Sequence, residues 1–167
     1  MNKKTLGGAV AGLILLAGGT RAMAGGLEDG IALFTRGKYA EAEAALRDAS
    51  GSEAKAYLAG SLAKQKKYAA AEDPARAALE ANPTHEVAVA ALGESLVGQK
   101  KYDDAIQRMS AALEKNDGLA YAHFWRGSAY DKKNQAARMV ADFEAFLRLA
   151  PRAPEAPTVK AVLAALR

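Results

Sequence analysis

Residues 120–151 read AYAHFWRGSAYDKKNQAARMVADFEAFLRLAP, with no proline before the last position. Apolar residues recur in two bursts at helical spacing. Gly127 and Tyr130 mark the first, Phe143, Phe146 and Leu147 the second, and Pro151 closes the stretch. Residues three and four apart share one helical face, so each burst reads as a helix with one buried side. The polar Asn134-Gln135-Ala136 between them reads as the turn. A helix-turn-helix unit of this kind decides how the rest of the chain is read.

The same order recurs upstream. Gly30, Ala59, Gly93 and Gly127 fall at one register position, and Leu33, Leu62, Leu96 and Tyr130 follow three residues later. The turns then read Gly37-Lys38-Tyr39, Lys66-Lys67-Tyr68 and Lys100-Lys101-Tyr102, and the fourth copy lacks the tyrosine. Ala42, Ala71, Ala105 and Met139 take the next small position, and Leu46, Ala75, Met109 and Phe143 the larger one after it. Leu79, Leu113 and Leu147 begin the last turns. The step from Tyr68 to Tyr102 equals the step from Gly93 to Gly127. A fixed period of this length means stacked helix pairs, each burying its apolar face only against its neighbours. This pattern resembles the tetratricopeptide repeat, and the period matches that family's. The resemblance covers nearly all of residues 25–151 and implies an all-α solenoid of about four repeats, at approximately 25–51, 52–85, 86–119 and 120–153. In that family the eighth position is small because two helices cross there.

Departures from the pattern carry their own expectations. Tyr39 and Tyr68 stand closer together than one full period, and the shortening falls at the polar turn Ala49-Ser50-Gly51-Ser52. Pro74 sits where the second helix of repeat two should run. Inside a helix it costs about 3 kcal/mol through a lost hydrogen bond and a ring clash. Asp73 before it is a good N-cap, so the helix is expected either to begin late, at Pro74, or to kink there. Beyond Pro151, residues 154–167 form a separate terminal element. Val159, Val162, Leu163 and Leu166 fall at i, i+3, i+4 and i+7, which predicts a one-sided helix capping the last repeat. The alternative is a helix that binds a partner.

Residues 1–24 read differently from the rest. Lys3 and Lys4 precede an apolar, glycine-rich run over residues 6–17, and Ala22-Met23-Ala24 follows. These are the parts of a secretory signal peptide. The apolar run is shorter than the roughly 20 residues that a spanning helix needs. The expectation is cleavage near Ala24, a soluble product beginning at Gly25, a periplasmic or secreted location, and no stable membrane insertion afterwards. An uncleaved anchor is the alternative.

Composition excludes several functions. There is no cysteine, so thiol catalysis and disulfides are out. Half the residues are hydrophobic but only 7% aromatic; with alanine abundant, close-packed helices suit this better than a sheet core. The net charge of +4 does not signal nucleic-acid binding, because residues 1–24 hold three basic residues and no acid. Without them, 20 basic residues face 19 acidic ones, and duplex binding needs a concentrated basic face. Lys64, Lys66 and Lys67 read as a solvated helix end.

No catalytic constellation is present. His85 and His123 are far apart in sequence, with no histidine or cysteine at metal-ligand spacing. His123 reads as a packing residue. Asp103-Asp104 and Glu28-Asp29 lie at helix beginnings, where carboxylates suit the helix dipole. No cofactor or metal is expected. Lys101, on a turn, is expected to be nearly silent when replaced by alanine, whereas Leu113 belongs to the core.

In the resembling family the first helix of each repeat lines a concave groove. Carried over by position, the candidate partner-binding residues are Phe34, Lys64, Glu94, Tyr121, Phe124, Asp131 and Lys132, with Gly60, Val87 and Ala90 between them. Trp125 is expected to face the neighbouring helix. The lysine, asparagine and arginine with which one subset of the family clamps a terminal carboxylate are missing here: the matching positions hold Ala56, Ala90, Phe124, Tyr57, Ala91 and Trp125. The reading is a non-catalytic scaffold or adaptor of the bacterial cell envelope that holds a protein or peptide segment in its groove and binds no nucleic acid. Its alternative is a self-associating subunit, a homo-oligomer or an assembly factor of a larger envelope complex.

Overall fold

A computed structural model describes residues 19–166. Every regular element among them is an α-helix. In order these are α1 (Gly19–Thr35), α2 (Tyr39–Leu46), α3 (Ser52–Lys64), α4 (Tyr68–Ala81), α5 (Glu86–Gly98), α6 (Tyr102–Lys115), α7 (Ala120–Lys132), α8 (Ala136–Leu149) and α9 (Ala156–Ala164). The signal-peptide reading lies outside the described residues as far as residue 18. From Gly19 the chain is helical, so the junction expected after Ala24 falls within α1.

The helices pair as α1–α2, α3–α4, α5–α6 and α7–α8. Each odd-numbered helix of these pairs also packs on the next odd-numbered one, whereas the even-numbered helices meet only the helices next to them in sequence. Odd helices therefore form an inner layer and even helices an outer one, and the array curves around the inner layer. Alanine makes the close packing possible. Ala59, Ala63, Ala71, Ala75, Ala105 and Ala122 are fully buried in the central core beside Leu92, Leu96 and Met109.

One turn geometry joins the two helices of every repeat. Gly37, Lys66, Lys100 and Asn134 have φ of 75°, 61°, 62° and 55°. In each case the next residue's N–H donates to the carbonyl five residues back: Lys38 to Leu33, Lys67 to Leu62, Lys101 to Leu96 and Gln135 to Tyr130. This is the Schellman closure of a helix C-terminus, which needs a left-handed residue after the last turn. Only the first repeat fills that position with glycine, although a side chain there costs energy.

A second recurrent device ties neighbouring repeats. Glu43 on α2 accepts from Lys67 Nζ at 2.7 Å, Gln65 Nε2 at 2.8 Å and Arg47 at 2.8 Å. One repeat on, Glu72 on α4 accepts from Lys101 at 2.8 Å, Gln99 at 3.0 Å and Arg76 at 2.6 Å. Lys101, read from sequence as a silent turn residue, is thus half of an inter-repeat ion pair. Its hydrogen bond to Glu72, joined by those of Arg76 and Gln99, outweighs the opposing effect of burial and holds that carboxyl at about 2. At the third seam the matching position is Ile106, and an exposed Lys133–Asp103 pair stands in place of the clasp.

Pro74 does not delay its helix. Helix α4 begins at Tyr68, six residues earlier, and runs through the proline to Ala81. Asp73 caps nothing, and Ala71, Ala75 and Ala78 on both sides of the proline stay in the core. Tertiary burial on both sides offsets the missing hydrogen bond. The short first repeat loses its residues from the second helix: α2 has 8 residues where α4, α6 and α8 have 14.

Helix α9 packs on α8. Ala156 and Val159 are buried, and Val162 and Leu163 lie against the cluster of Met139, Phe143 and Phe146. Leu166 departs from the sequence pattern. The helix ends at Ala164, and Leu166 is 55% exposed.

Candidate partner-binding groove

The concave side carries a cleft of about 460 Å³. Its floor comes from two inner helices: Gly60 on α3 and Val87, Ala90 and Ala91 on α5. Gly60 is covered by two neighbouring side chains. A Cβ there would stand 2.8 Å from the Phe34 ring and 3.1 Å from Val87, so only glycine lets those side chains close over α3. Phe34 and Tyr39 wall one end, with Phe34 set edge-on to Tyr39 and Tyr57 at centroid distances of 5.5 and 5.3 Å. Tyr121 and Trp125 of α7 wall the other.

Pro154 and Glu155, from the linker into α9, reach this far end. The Tyr121 hydroxyl donates to Glu155 Oε2 at 2.9 Å, which ties the linker to the groove wall. Burial, reinforced by the Glu155 carboxylate, pushes the Tyr121 phenol well above its usual value and keeps it protonated. Across the floor, Lys64 Nζ lies 2.9 Å from Glu94 Oε2. Burial alone would lower the Lys64 ammonium; the Glu94 carboxylate outweighs it and holds the group above its ordinary value.

Of the candidates read from sequence, Phe34, Lys64, Glu94 and Tyr121 line this one cleft. Phe124 lies elsewhere. It stacks on Phe143 and leans on Phe146 at centroid distances of 6.1 and 5.0 Å, partly buried against the core that α9 covers. Asp131 and Lys132 are near the end of α7 and pair with each other at the surface. Trp125 plays two parts. It packs against α5, where a Cβ on Gly93 would meet its side chain at 2.6 Å, and it lines the groove. Its indole N–H is buried with no acceptor among the described residues.

Tyr39, Glu86, Pro154 and Glu155 were missed. Glu86 immediately precedes the groove position Val87 and could have been suspected; nothing in the periodicity brings a linker beyond the last repeat back to the third. His123 departs from its packing role as well. Its Nδ1 is 2.9 Å from Asp142 Oδ1 and its Nε2 is 3.1 Å from the Asp117 carbonyl. Arg126 grips the same buried carboxylate through two nitrogens, at 2.8 and 2.7 Å. This network joins α7 to α8 and takes no part in the groove. Among the described residues no group of three or more metal-ligating side chains converges, and no helix is long and apolar enough to cross a membrane.

Two layers of helices around a concave groove define a helical-repeat scaffold, the class of protein whose surface serves for binding other proteins. Two family models described as tetratricopeptide repeat match residues 27–86 and 62–126, and the chain belongs to the tetratricopeptide repeat family. No curated protein matches it. Among solved structures it is similar to TTC0263, a thermophilic TPR protein of Thermus thermophilus, with a TM-score of 0.71 and 19% identity over 82% of this chain and 78% of that one. YrrB, a TPR protein with an unusual peptide-binding site, gives a TM-score of 0.66 and 19% identity over 84% and 76%. MamA of Desulfovibrio magneticus RS-1 gives 0.63 and 22% over 80% and 77%. At these identities the likeness establishes the fold.

Proposed function

We propose that the protein is a non-catalytic adaptor that holds a segment of another protein in its concave groove. The observation that carries this reading is the cleft of about 460 Å³ with aromatic walls at both ends and a floor of glycine, alanine and valine. Aromatic anchors in a concave site dominate the energetics of protein interfaces, and the partly exposed Ala90 leaves the α5 part of the floor without a bulky side chain. A peptide-binding site is also named for the fold neighbour YrrB. The leader-like residues 1–24 support an envelope or extracellular setting.

The test is affinity capture from an envelope extract with the protein and with an Ala90→Phe variant, which fills the cleft from its floor. Ala90 is preferable to Phe124, whose loss would damage the core under α9. A partner retained by the native protein and lost by the folded variant is the expected result. Capture that ignores the substitution would move the site off the groove. A mass that rises with concentration and no captured partner would favour the self-associating subunit.

A further inference from the structure

The groove has a charge that the chain as a whole lacks. Three carboxylates line it, those of Glu86, Glu94 and Glu155, against the single ammonium of Lys64. The cleft therefore carries a net charge of −2 in a chain whose formal net charge is +4. Lys64 is spent on Glu94 at 2.9 Å. Glu155 accepts one hydrogen bond, from Tyr121, and that donor is neutral. Glu86 is exposed and makes no ion pair or hydrogen bond among the described residues. Two negative charges thus remain uncompensated at the cleft.

Beside them stand aromatic rings. Tyr121 and Trp125 line the end to which Glu155 is attached, and an aromatic face attracts a cation within about 6 Å of its centre. The chain already seats one ammonium in the cleft, its own Lys64. A second hollow, of about 370 Å³ between α4 and α6, is lined by Arg76, Arg108 and Lys115 with one carboxylate, Glu80, and its Arg76 is paired with Glu72.

We infer that the segment held in the groove is cationic: an extended polypeptide with a lysine or arginine flanked by apolar residues, its cation set among Glu86, Glu155 and the Tyr121–Trp125 wall. This rests on the proposed groove function and names the chemistry of its partner. The apolar flanks match Val87, Ala90 and Phe34, and the cation neutralises one of the two charges that Lys64 leaves over. Matched charge across an interface sets partner choice and association rate, and fades with salt.

The experiment is selection from a random displayed decapeptide library on the full chain, in the form its own cell produces, beside the Ala90→Phe variant. Peptides lost on Ala90→Phe and enriched in lysine or arginine are the expected result. A selected cationic peptide should then change the fluorescence of Trp125, the chain's only tryptophan. Glu86→Lys should weaken it by roughly three- to tenfold at low salt and leave the fold intact, since Glu86 has no internal partner among the described residues. Groove-dependent peptides that are neutral or acidic, or unaffected by Glu86→Lys, would overturn the charge inference and leave the groove function standing. Peptides that bind Ala90→Phe equally well would overturn both.

Discussion

The two ends of the array are built from different materials. Repeats one to three pack alanine on alanine. Of their buried side chains, Leu46, Leu62, Leu92, Leu96, Met109 and Leu119 are the large ones, and the seams between them are drawn together by Glu43 and Glu72 from the outer surface. The fourth repeat buries Phe143 and Phe146 with Phe124 beside them, and its polar link is the buried Asp142 held by Arg126 and His123. The difference follows from position. Repeats two and three have neighbours on both sides and meet them through small residues, so their helices approach closely and need little side-chain volume. The last repeat meets α9, a single helix joined through a proline-containing linker, and large rings fill the less regular space between them.

If the C-terminal end is held by its rings, Phe146→Ala should be the most damaging change. Phe146 is fully buried at the meeting point of Tyr121, Phe124, Val159 and α8. Its truncation should cost about 3–5 kcal/mol. Because repeat stability is largely nearest-neighbour, hydrogen exchange should accelerate in α7–α9 while α3 and α4 keep their protection. Uniform loss of protection would show that the two ends form one cooperative unit after all.

The N-terminal seams should instead respond to acid. Glu72 in the folded chain titrates at about 2, against an ordinary value of 4.5. Its stabilising contribution is complete above about pH 4.5 and disappears as the pH falls to about 2, because only the folded state keeps the carboxylate charged across that interval. Glu72→Gln should therefore lower the melting temperature at pH 7 and flatten its decline between about pH 5 and pH 2. Equal slopes for the two proteins would mean that the clasp with Lys101, Arg76 and Gln99 adds nothing to folding.

The smallest expected effect is a gain, in a feature that both ends share. Lys100 occupies the left-handed turn position that Gly37 fills in the first repeat. Lys100→Gly should remove that strain and stabilise the protein by about 0.5–1 kcal/mol, a rise of a few degrees in melting temperature. The chain entropy of glycine opposes the gain, so a fall would show that flexibility of the unfolded chain outweighs strain at this turn.

Much of the fold was legible because the repeat writes its constraints at fixed spacing. A constant period, a small residue where helices cross and a turn before each outer helix follow from helix geometry, and they survive the loss of any single match. The late helix start that Pro74 suggested is absent for the opposite reason. The proline's cost is local and visible in sequence, while the burial of Ala71, Ala75 and Ala78 that carries the helix through it is not. The clasps were hidden for a related reason: Glu43 and Glu72 look like surface acids until the next repeat brings a lysine and a glutamine to them from 22 to 29 residues away.

The groove divides in the same way. Phe34, Lys64, Glu94 and Tyr121 could be found by counting along inner helices, since one helical face turns toward the concave side in every repeat. Which of the aromatic residues stay in the groove could not be counted. Phe124 and Tyr121 are neighbours on one helix and both pack against the cluster that α9 covers, yet only Tyr121 also lines the cleft, where the α9 linker brings Glu155 to it. The helices, their pairing and the side that faces inward follow from the order of residues alone, because they depend on periodic spacing along the chain. The charge of the groove and the closing of its far end were decided in three dimensions, because they depend on where a non-repeating segment comes to rest.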